Sequence, residues 1–293
     1  MSNTNKDISS QILSSTGTDS VFLKGPFGSG KTTIGQSWYR KLLKSGIPAD
    51  EILIFTPQRS LGLPYRQTVA ETQNSTAGFP TIATIHGFSR RMIQTFWPVI
   101  FDSTLFPNPR ERPVFLSIES VLYHMRTVLT PFIEKGYFKD LHLEPNRLFS
   151  QILDNLNKSA FIGLSLDEVF TRLSQTWSGD PSRLITYNQA KEAAQSFRDY
   201  CLNNSLLDAS LQIEVFKNIL WKNEIFRNYT KSKFHHILVD NVEEDVPVFH
   251  DILLEWLPEF KSALIIYDED GGYRTFLGAD PISGLRFSTC CNK

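Results

Sequence analysis

The stretch Val21-Phe22-Leu23-Lys24-Gly25-Pro26-Phe27-Gly28-Ser29-Gly30-Lys31-Thr32-Thr33 decides the fold. An apolar run suited to a buried strand leads straight into G-x-x-x-x-G-K-T, and a helix-compatible segment continues to Lys44. Strand, glycine loop and helix in that order is the context in which this pattern cradles phosphate. Glycines let the main chain curl until successive N–H groups face one concavity, and the following helix turns its positive end to the same place. Lys31 is placed to reach the outer phosphates of ATP, and the Thr32 hydroxyl to ligate Mg2+. The candidate nucleotide-binding residues are Gly25, Pro26, Phe27, Gly28, Ser29, Gly30, Lys31, Thr32 and Thr33. The plain alternative is a glycine-rich strand-to-helix turn with an exposed lysine.

Four more β-rich runs lie downstream: Ile52 to Phe55, Thr81 to Ile85, Ile237 to Val239 and Ala263 to Ile266. They are continuous rather than alternating, which is how strands covered on both faces of a parallel sheet read. Helix-like segments such as Phe249 to Trp256 supply the crossovers. The pattern predicts a doubly wound α/β core. Some 130 residues with little strand signal separate the third and fourth runs, far beyond the roughly 2–6 residues of an ordinary α/β connection. A helical insertion domain accounts for them, giving a discontinuous core over 1–104 and 235–293 and an insertion over 105–234. Pro107, Pro109 and Pro113 mark its start, and Lys231 to His236 its end. Ser165 with Glu168, and Thr186 with Gln189, read as capping boxes that open helices within it.

Composition limits the remaining classes. With 293 residues, 41% hydrophobic and 21% charged, the chain is globular, neither disordered nor collagenous. Lys and Arg number 30 against 31 Asp and Glu, so any nucleic-acid surface must be a local patch. Three cysteines, two of them adjacent, make neither a disulfide framework nor a zinc site, and a reducing cytoplasm fits best. No apolar run approaches the ~18 residues of a membrane span, and Ser2 to Ser10 lacks the layout of a signal peptide. No membrane partner is expected.

A phosphate loop needs a second metal ligand at the end of another core strand. His235-His236-Ile237-Leu238-Val239-Asp240 supplies it as an apolar strand ending in a carboxylate, so Thr32 and Asp240 form the expected metal pair. The competing reading makes Asp240 a plain strand-ending turn residue.

With these motifs in order, the chain resembles the first RecA-like domain of superfamily 1 DNA helicases of the UvrD, PcrA, Rep and RecB kind. Phe55-Thr56-Pro57-Gln58 stands for the family's FTN-like segment, Thr84-Ile85-His86-Gly87 for TFHS, and Val239-Asp240-Asn241-Val242-Glu243-Glu244 for VDEFQD. The run from Tyr267 to Ala279 stands for GDDDQSIYRFRGA. The resemblance implies a P-loop NTPase fold, with ATP and Mg2+ as cofactors and single-stranded DNA as partner. It places DNA contacts at Thr56, Gln58, Thr84 and His86. Arg59, Arg90 and Arg91 lie near enough to meet phosphates, and Phe88, Phe96 and Trp97 are candidates for base stacking, each against a packing alternative.

The departures are as informative. The family's general base follows its metal-binding Asp, and here that residue is Asn241, whose amide can orient water but cannot accept its proton. Gly271 and Leu277 replace a glutamine and an arginine of the family pattern. Glu243 and Glu244 are close enough to substitute as base, which makes Lys31, Asp240, Glu243 and Glu244 the candidate catalytic residues. Fourteen residues follow Ala279, with no closing element and no room for the second RecA-like domain that completes the family's ATP cleft. The expected chain is therefore a piece of a longer protein, or it works with a second RecA-like domain or a helicase-nuclease partner subunit.

Two functions compete at this point. One is the motor domain of an ATP-dependent DNA helicase, coupling Mg-ATP hydrolysis to movement on single-stranded DNA with weak turnover. The other is a hydrolysis-deficient subunit that holds nucleotide and DNA in a repair or recombination complex. An unrelated P-loop ATPase or kinase would leave the later motifs as coincidences.

Overall fold

A computed structural model of the chain describes residues 19–72, 78–100, 105–108, 112–141 and 143–292. Ser2 to Ser10 and Pro109 lie outside the described residues. The chain packs into two compact units, one built from Met1–Phe88 with Glu224–Lys293, the other from Ser89–Asn223.

The first unit is a parallel five-stranded sheet. Its strands are β1 (Ser20–Gly25), β2 (Ile52–Phe55), β3 (Thr81–Ala83), β6 (His236–Val239) and β7 (Ser262–Asp268), in the spatial order β1-β7-β6-β2-β3. All pairings are parallel, with Val21 opposite Leu264, Leu238 opposite Leu264 and Ile54 opposite Leu238. β2, β6 and β7 are buried along their whole length, which explains their unbroken apolar sequences.

Side chains alternate between the two faces of the sheet. One set, with Ile54, Leu238, Leu264 and Ile266, packs on α1 (Lys31–Lys44) through Trp38, Tyr39 and Leu42, and on Tyr65 of α2 (Leu63–Thr72). Phe55 instead meets Phe88 and Phe249 edge to face. Trp256 and Phe234 join Phe88 in that aromatic layer. Phe226 and Phe234 are buried, and this is why the chain from Glu224 onward packs with the sheet although the sequence places it in the insertion.

The third strand is shorter than its sequence suggests. It ends at Ala83, and Ile85 already opens α3 (Ile85–Thr95), because Thr84 caps that helix: Gly87 N donates to Thr84 Oγ1 at 3.0 Å. The carboxyl ends of β1, β7 and β6 are neighbours, which brings Gly25, Asp268 and Asp240 to one edge of the sheet. That is where ligands bind in open α/β sheets.

The second unit is largely helical: α4 (Ile118–Glu134), α5 (Pro145–Ile162), α6 (Leu166–Thr176), α7 (Ser182–Asn203) and α8 (Ala209–Val215). The one strand pair among its described residues is β4 (Val114–Phe115) against β5 (Leu206–Leu207). The capping box forms at Ser165, whose hydroxyl accepts from Glu168 N while the Glu168 carboxylate accepts from Ser165 N. The second expected box does not form. Thr186 lies inside α7, which begins at Ser182 after Pro181, and Gln189 Oε1 instead accepts the amide of Phe138 at 2.9 Å. Beyond the sheet, Pro281–Gly284 and Phe287–Cys290 form short helical turns, and Asn292 N donates to Ser20 O at 2.9 Å.

Two further helices of the first unit, α9 (Glu224–Lys233) and α10 (Pro247–Trp256), flank β6 in sequence. Among the described residues no helix is long and apolar enough to cross a membrane.

Candidate nucleotide site

The loop after β1 turns through two left-handed glycines, Gly28 at φ 75° and Gly30 at φ 88°. A side chain at Gly28 would meet no neighbour within 4 Å, so backbone conformation alone selects glycine there. Lys31 folds back over the loop, its Nζ donating to Gly25 O at 2.9 Å and Pro26 O at 2.6 Å. The same ammonium lies 3.1 Å from Asp268 Oδ2, with both side chains almost fully buried. The amide of Phe27 donates to Asp270 Oδ2 at 2.9 Å. Two carboxylates thus face donors of the cradle, Asp268 the lysine ammonium and Asp270 a neutral main-chain N–H. Ser29 Oγ donates to Pro26 O at 2.8 Å, while Thr33 is exposed on the first turn of α1.

Asp240 follows β6 and is 2% exposed. Its Oδ2 accepts from Thr32 Oγ1 at 3.0 Å and from Tyr65 Oη at 2.8 Å. Its Oδ1 is buried and has no hydrogen-bond partner. Burial raises the Asp240 carboxyl above the usual carboxylate range, opposed by the two hydroxyl donors. An orphaned carboxylate oxygen beside a threonine hydroxyl suits a hard divalent cation that takes its other ligands from phosphate and water. Among the described residues no group of three or more His, Cys, Asp or Glu is set to hold a metal unaided.

The three residues after Asp240 are fixed by a left-handed turn at Asn241, φ 59° and ψ 50°, a conformation asparagine tolerates better than most residues. The turn sends Glu243 and Glu244 to different places. Glu243 is fully buried, with Oε1 accepting from Asn241 Nδ2 at 3.1 Å and Oε2 from the amide of Asp268 at 3.0 Å. Burial pushes its carboxyl up to about 7. Gly271 makes room for it, since a Cβ at 271 would sit 2.7 Å from both Cγ and Oε1 of Glu243. Glu244 accepts instead from three successive amides, Gly272 at 2.7 Å, Tyr273 at 3.0 Å and Arg274 at 2.9 Å. It anchors the loop after β7.

Phe27, Gly28, Gly30, Lys31, Thr32, Thr33, Gln58, Asp240, Asn241, Glu243, Glu244 and Asp268 line one cleft of about 540 Å³, together with Gly271, Tyr273 and Arg274. A larger cleft of about 860 Å³ in the helical unit contains none of these groups. The candidates for DNA contact are placed unequally. Gln58 and Arg59 are exposed beyond β2, whereas Thr56 is 2% exposed and its hydroxyl donates to Gln58 O at 2.9 Å. Thr84 is occupied as a helix cap. His86 is half-buried, and burial with the nearby Arg274 guanidinium lowers its imidazole to about 4.

Of the stacking candidates, Phe88 is 1% exposed among Phe55, Phe234 and Trp256, and Trp97 is buried edge to face against Phe106. Both are packing residues, and Phe96 is half-buried. Arg91 is exposed, and the Arg90 guanidinium lies 4.7 Å over the Phe115 ring.

Asp268, Asp270, Arg274 and Tyr65 belong to the site as well, although sequence singled out none of them. The first three lie in the motif after β7, where a run of acids is the available signal. Tyr65 leaves no sequence signal.

The profile of the UvrD/REP helicase N-terminal domain matches residues 5–282. Among the curated proteins no sequence matches this one. The parallel sheet with its glycine loop is the RecA-like P-loop fold of that family, which uses nucleotide and acts on nucleic acid. A match over this much of the chain shows that it belongs to the UvrD/REP helicase family, as an N-terminal domain.

Proposed function

We propose that the chain binds Mg-ATP in the cleft at the ends of β1, β6 and β7 and hydrolyses it slowly, as the nucleotide-gripping half of a single-stranded DNA motor. The observation that carries this reading is the meeting of Thr32 Oγ1 and Asp240 Oδ2 at 3.0 Å beside an unpartnered buried oxygen, at the mouth of the glycine loop. The loop amides and Lys31 would hold the phosphates, while Thr32 and Asp240 would hold Mg2+, which neutralises charge on the phosphate oxygens when bound. Lys31 must exchange Asp268 and two carbonyls for phosphate, so it is already desolvated and oriented toward the loop. Glu243 is the better placed proton acceptor of the two glutamates, because Glu244 is spent on three amides.

The DNA edge in this reading is Gln58 and His86, with Arg59 beside them. Thr56 and Thr84 shape it from beneath. A second RecA-like domain, in the same protein or a partner, would close the cleft. The exposed apolar side chains of Phe27, Tyr273, Phe276 and Ile282 support such a cover.

A second reading, a helicase-like subunit that binds nucleotide and DNA with next to no hydrolysis, is favoured by one arrangement. Asn241 occupies the position of the general base, and Glu243 is fully buried with both oxygens hydrogen-bonded.

Phosphate release with and without oligo-dT, alongside binding of a fluorescent ATP analogue, tests both readings. Mg2+-dependent binding that Lys31→Ala abolishes, with slow release, is the expected result. Fast, DNA-dependent release sensitive to Lys31 would remove the second reading, and equal binding by Lys31→Ala would remove both.

A further inference from the structure

The orientation of Asp240 depends on a residue from a third element. Tyr65 lies on α2, is 0% exposed, and its phenol donates to Asp240 Oδ2 at 2.8 Å across 175 residues of sequence. Thr32 Oγ1 donates to the same oxygen from the other side, at 3.0 Å. Two hydroxyl donors on one carboxylate oxygen fix the plane of the group and leave the other oxygen, Oδ1, without a protein partner. A carboxylate pinned in this way presents one lone-pair-rich oxygen in a set direction.

The seat of the phenol is built as tightly as the contact. Gly35, one turn into α1, faces it, and a Cβ there would lie 2.4 Å from the Tyr65 oxygen. The two helices are also fastened by side chains: Gln36 Nε2 donates to Pro64 O at 2.9 Å, and Arg40 pairs with Glu71 at 2.9 Å. Burying a tyrosine hydroxyl costs free energy unless it finds a partner, and the partner here is a carboxylate rather than a nearby carbonyl.

We propose that Tyr65 is a positioning residue for the cation-binding carboxylate: its hydroxyl, seated against Gly35, holds Asp240 so that Oδ1 faces the ion. The inference rests on the Mg-ATP reading of the cleft. It also gives the segment from Thr56 to Gly62 a mechanical link to the ion, since Tyr65 sits in the first turn of the helix that this segment leads into. Partners that orient a metal ligand are worth roughly 10–100-fold in metal affinity.

The test is a titration of the whole chain with a fluorescent ATP analogue, in EDTA and across a Mg2+ series. For Tyr65→Phe the Mg2+ midpoint should rise about tenfold while binding in EDTA stays at the wild-type value. Gly35→Ala, which displaces the phenol without altering it, should shift the midpoint the same way. A Tyr65→Phe midpoint equal to wild type overturns the positioning role. So does an equal loss of binding with and without Mg2+, which would mark Tyr65 as a packing residue only. If the wild-type chain binds nucleotide with no dependence on Mg2+, the metal reading of Thr32 and Asp240 fails first, and this inference falls with it.

Discussion

Lys31 and Asp268 form a buried ion pair, Nζ to Oδ2 at 3.1 Å, with their side chains 8% and 10% exposed. The lysine that the sequence assigns to phosphate is therefore already paired to a carboxylate at the end of the neighbouring strand. Gly25 and Asp268 are register partners, so the sheet itself sets this pairing. A nucleotide must compete with Asp268 for the ammonium, and its negative charge would also displace Asp270 from the amide of Phe27.

Lys31→Ala should consequently do two things. It should abolish protection by Mg-ATP against thermal unfolding, and it should lower the stability of the nucleotide-free chain by about 3 kcal/mol, because Asp268 is left buried and unpaired. Urea denaturation of both proteins without nucleotide measures the second effect. Adding Asp268→Asn should recover most of it. Equal stability of Lys31→Ala and wild type would mean that Asp268 finds another partner or water.

Glu244→Gln separates anchoring from chemistry. Its carboxylate serves three amides, and a glutamine can serve them with one oxygen only. The expected loss is about 2 kcal/mol of stability, the usual worth of hydrogen bonds to a charged acceptor. Proteolysis between Gly271 and Leu277 should quicken in parallel. Unchanged stability together with lost turnover would reverse the assignment and make Glu244 the reactive carboxylate.

Much of this site was legible in the sequence for identifiable reasons. Strands buried on both faces write themselves as unbroken apolar runs, as β2, β6 and β7 do, and each of the five runs supplies a strand of the sheet. The glycine loop and the carboxylate after Val239 carry their spacing with them. What stayed hidden depends on direction in space. Glu243 and Glu244 are adjacent and chemically alike, and only the left-handed turn at Asn241 sends one into the cleft wall and the other beneath the next loop. Tyr65 reaches Asp240 because Gly35 lacks a side chain, a relation between residues far apart in the chain. The capping signature was correct at Ser165 and not at Thr186, since the same residue types also occur inside a helix that Pro181 has already started.

Buried imidazoles should each take stability away on the acid side of the profile. His250 is 0% exposed, donates Nε2 to Val242 O at 2.8 Å, and is held near 4 by burial, against the raising effects of that hydrogen bond and of Asp280 and Asp251. The unfolded chain takes up this proton near the ordinary value of 6.5, so it binds more protons than the folded chain between 6.5 and 4. Stability is therefore lost as pH falls through that window. His250→Gln should lose about 2 kcal/mol less than wild type between pH 6.5 and 5, measured by urea denaturation at each pH. Parallel profiles would show that the folded state accommodates a charged His250.

The family motif quoted above places a carboxylate directly after the metal-binding Asp and an amide two residues on, whereas this chain has Asn241 and Glu243 in those places. The two side chains are hydrogen-bonded at 3.1 Å, so the chain keeps the carboxylate-amide pair with its members exchanged. Gly271 belongs to the exchange, because any side chain there would strike Glu243. Asn241→Glu alone should help little: it costs about 1 kcal/mol for a bulkier residue in a left-handed turn, and it sets two carboxylates side by side. The double variant Asn241→Glu, Glu243→Gln restores opposite members of the pair without that repulsion. A well-placed general base is worth roughly 10²–10⁴ in rate, so the double variant should release phosphate at least about tenfold faster than wild type under single-turnover conditions. If it binds Mg-ATP normally and is no faster, the exchanged pair is not what limits hydrolysis, and the limit lies in groups that close the cleft from outside this unit.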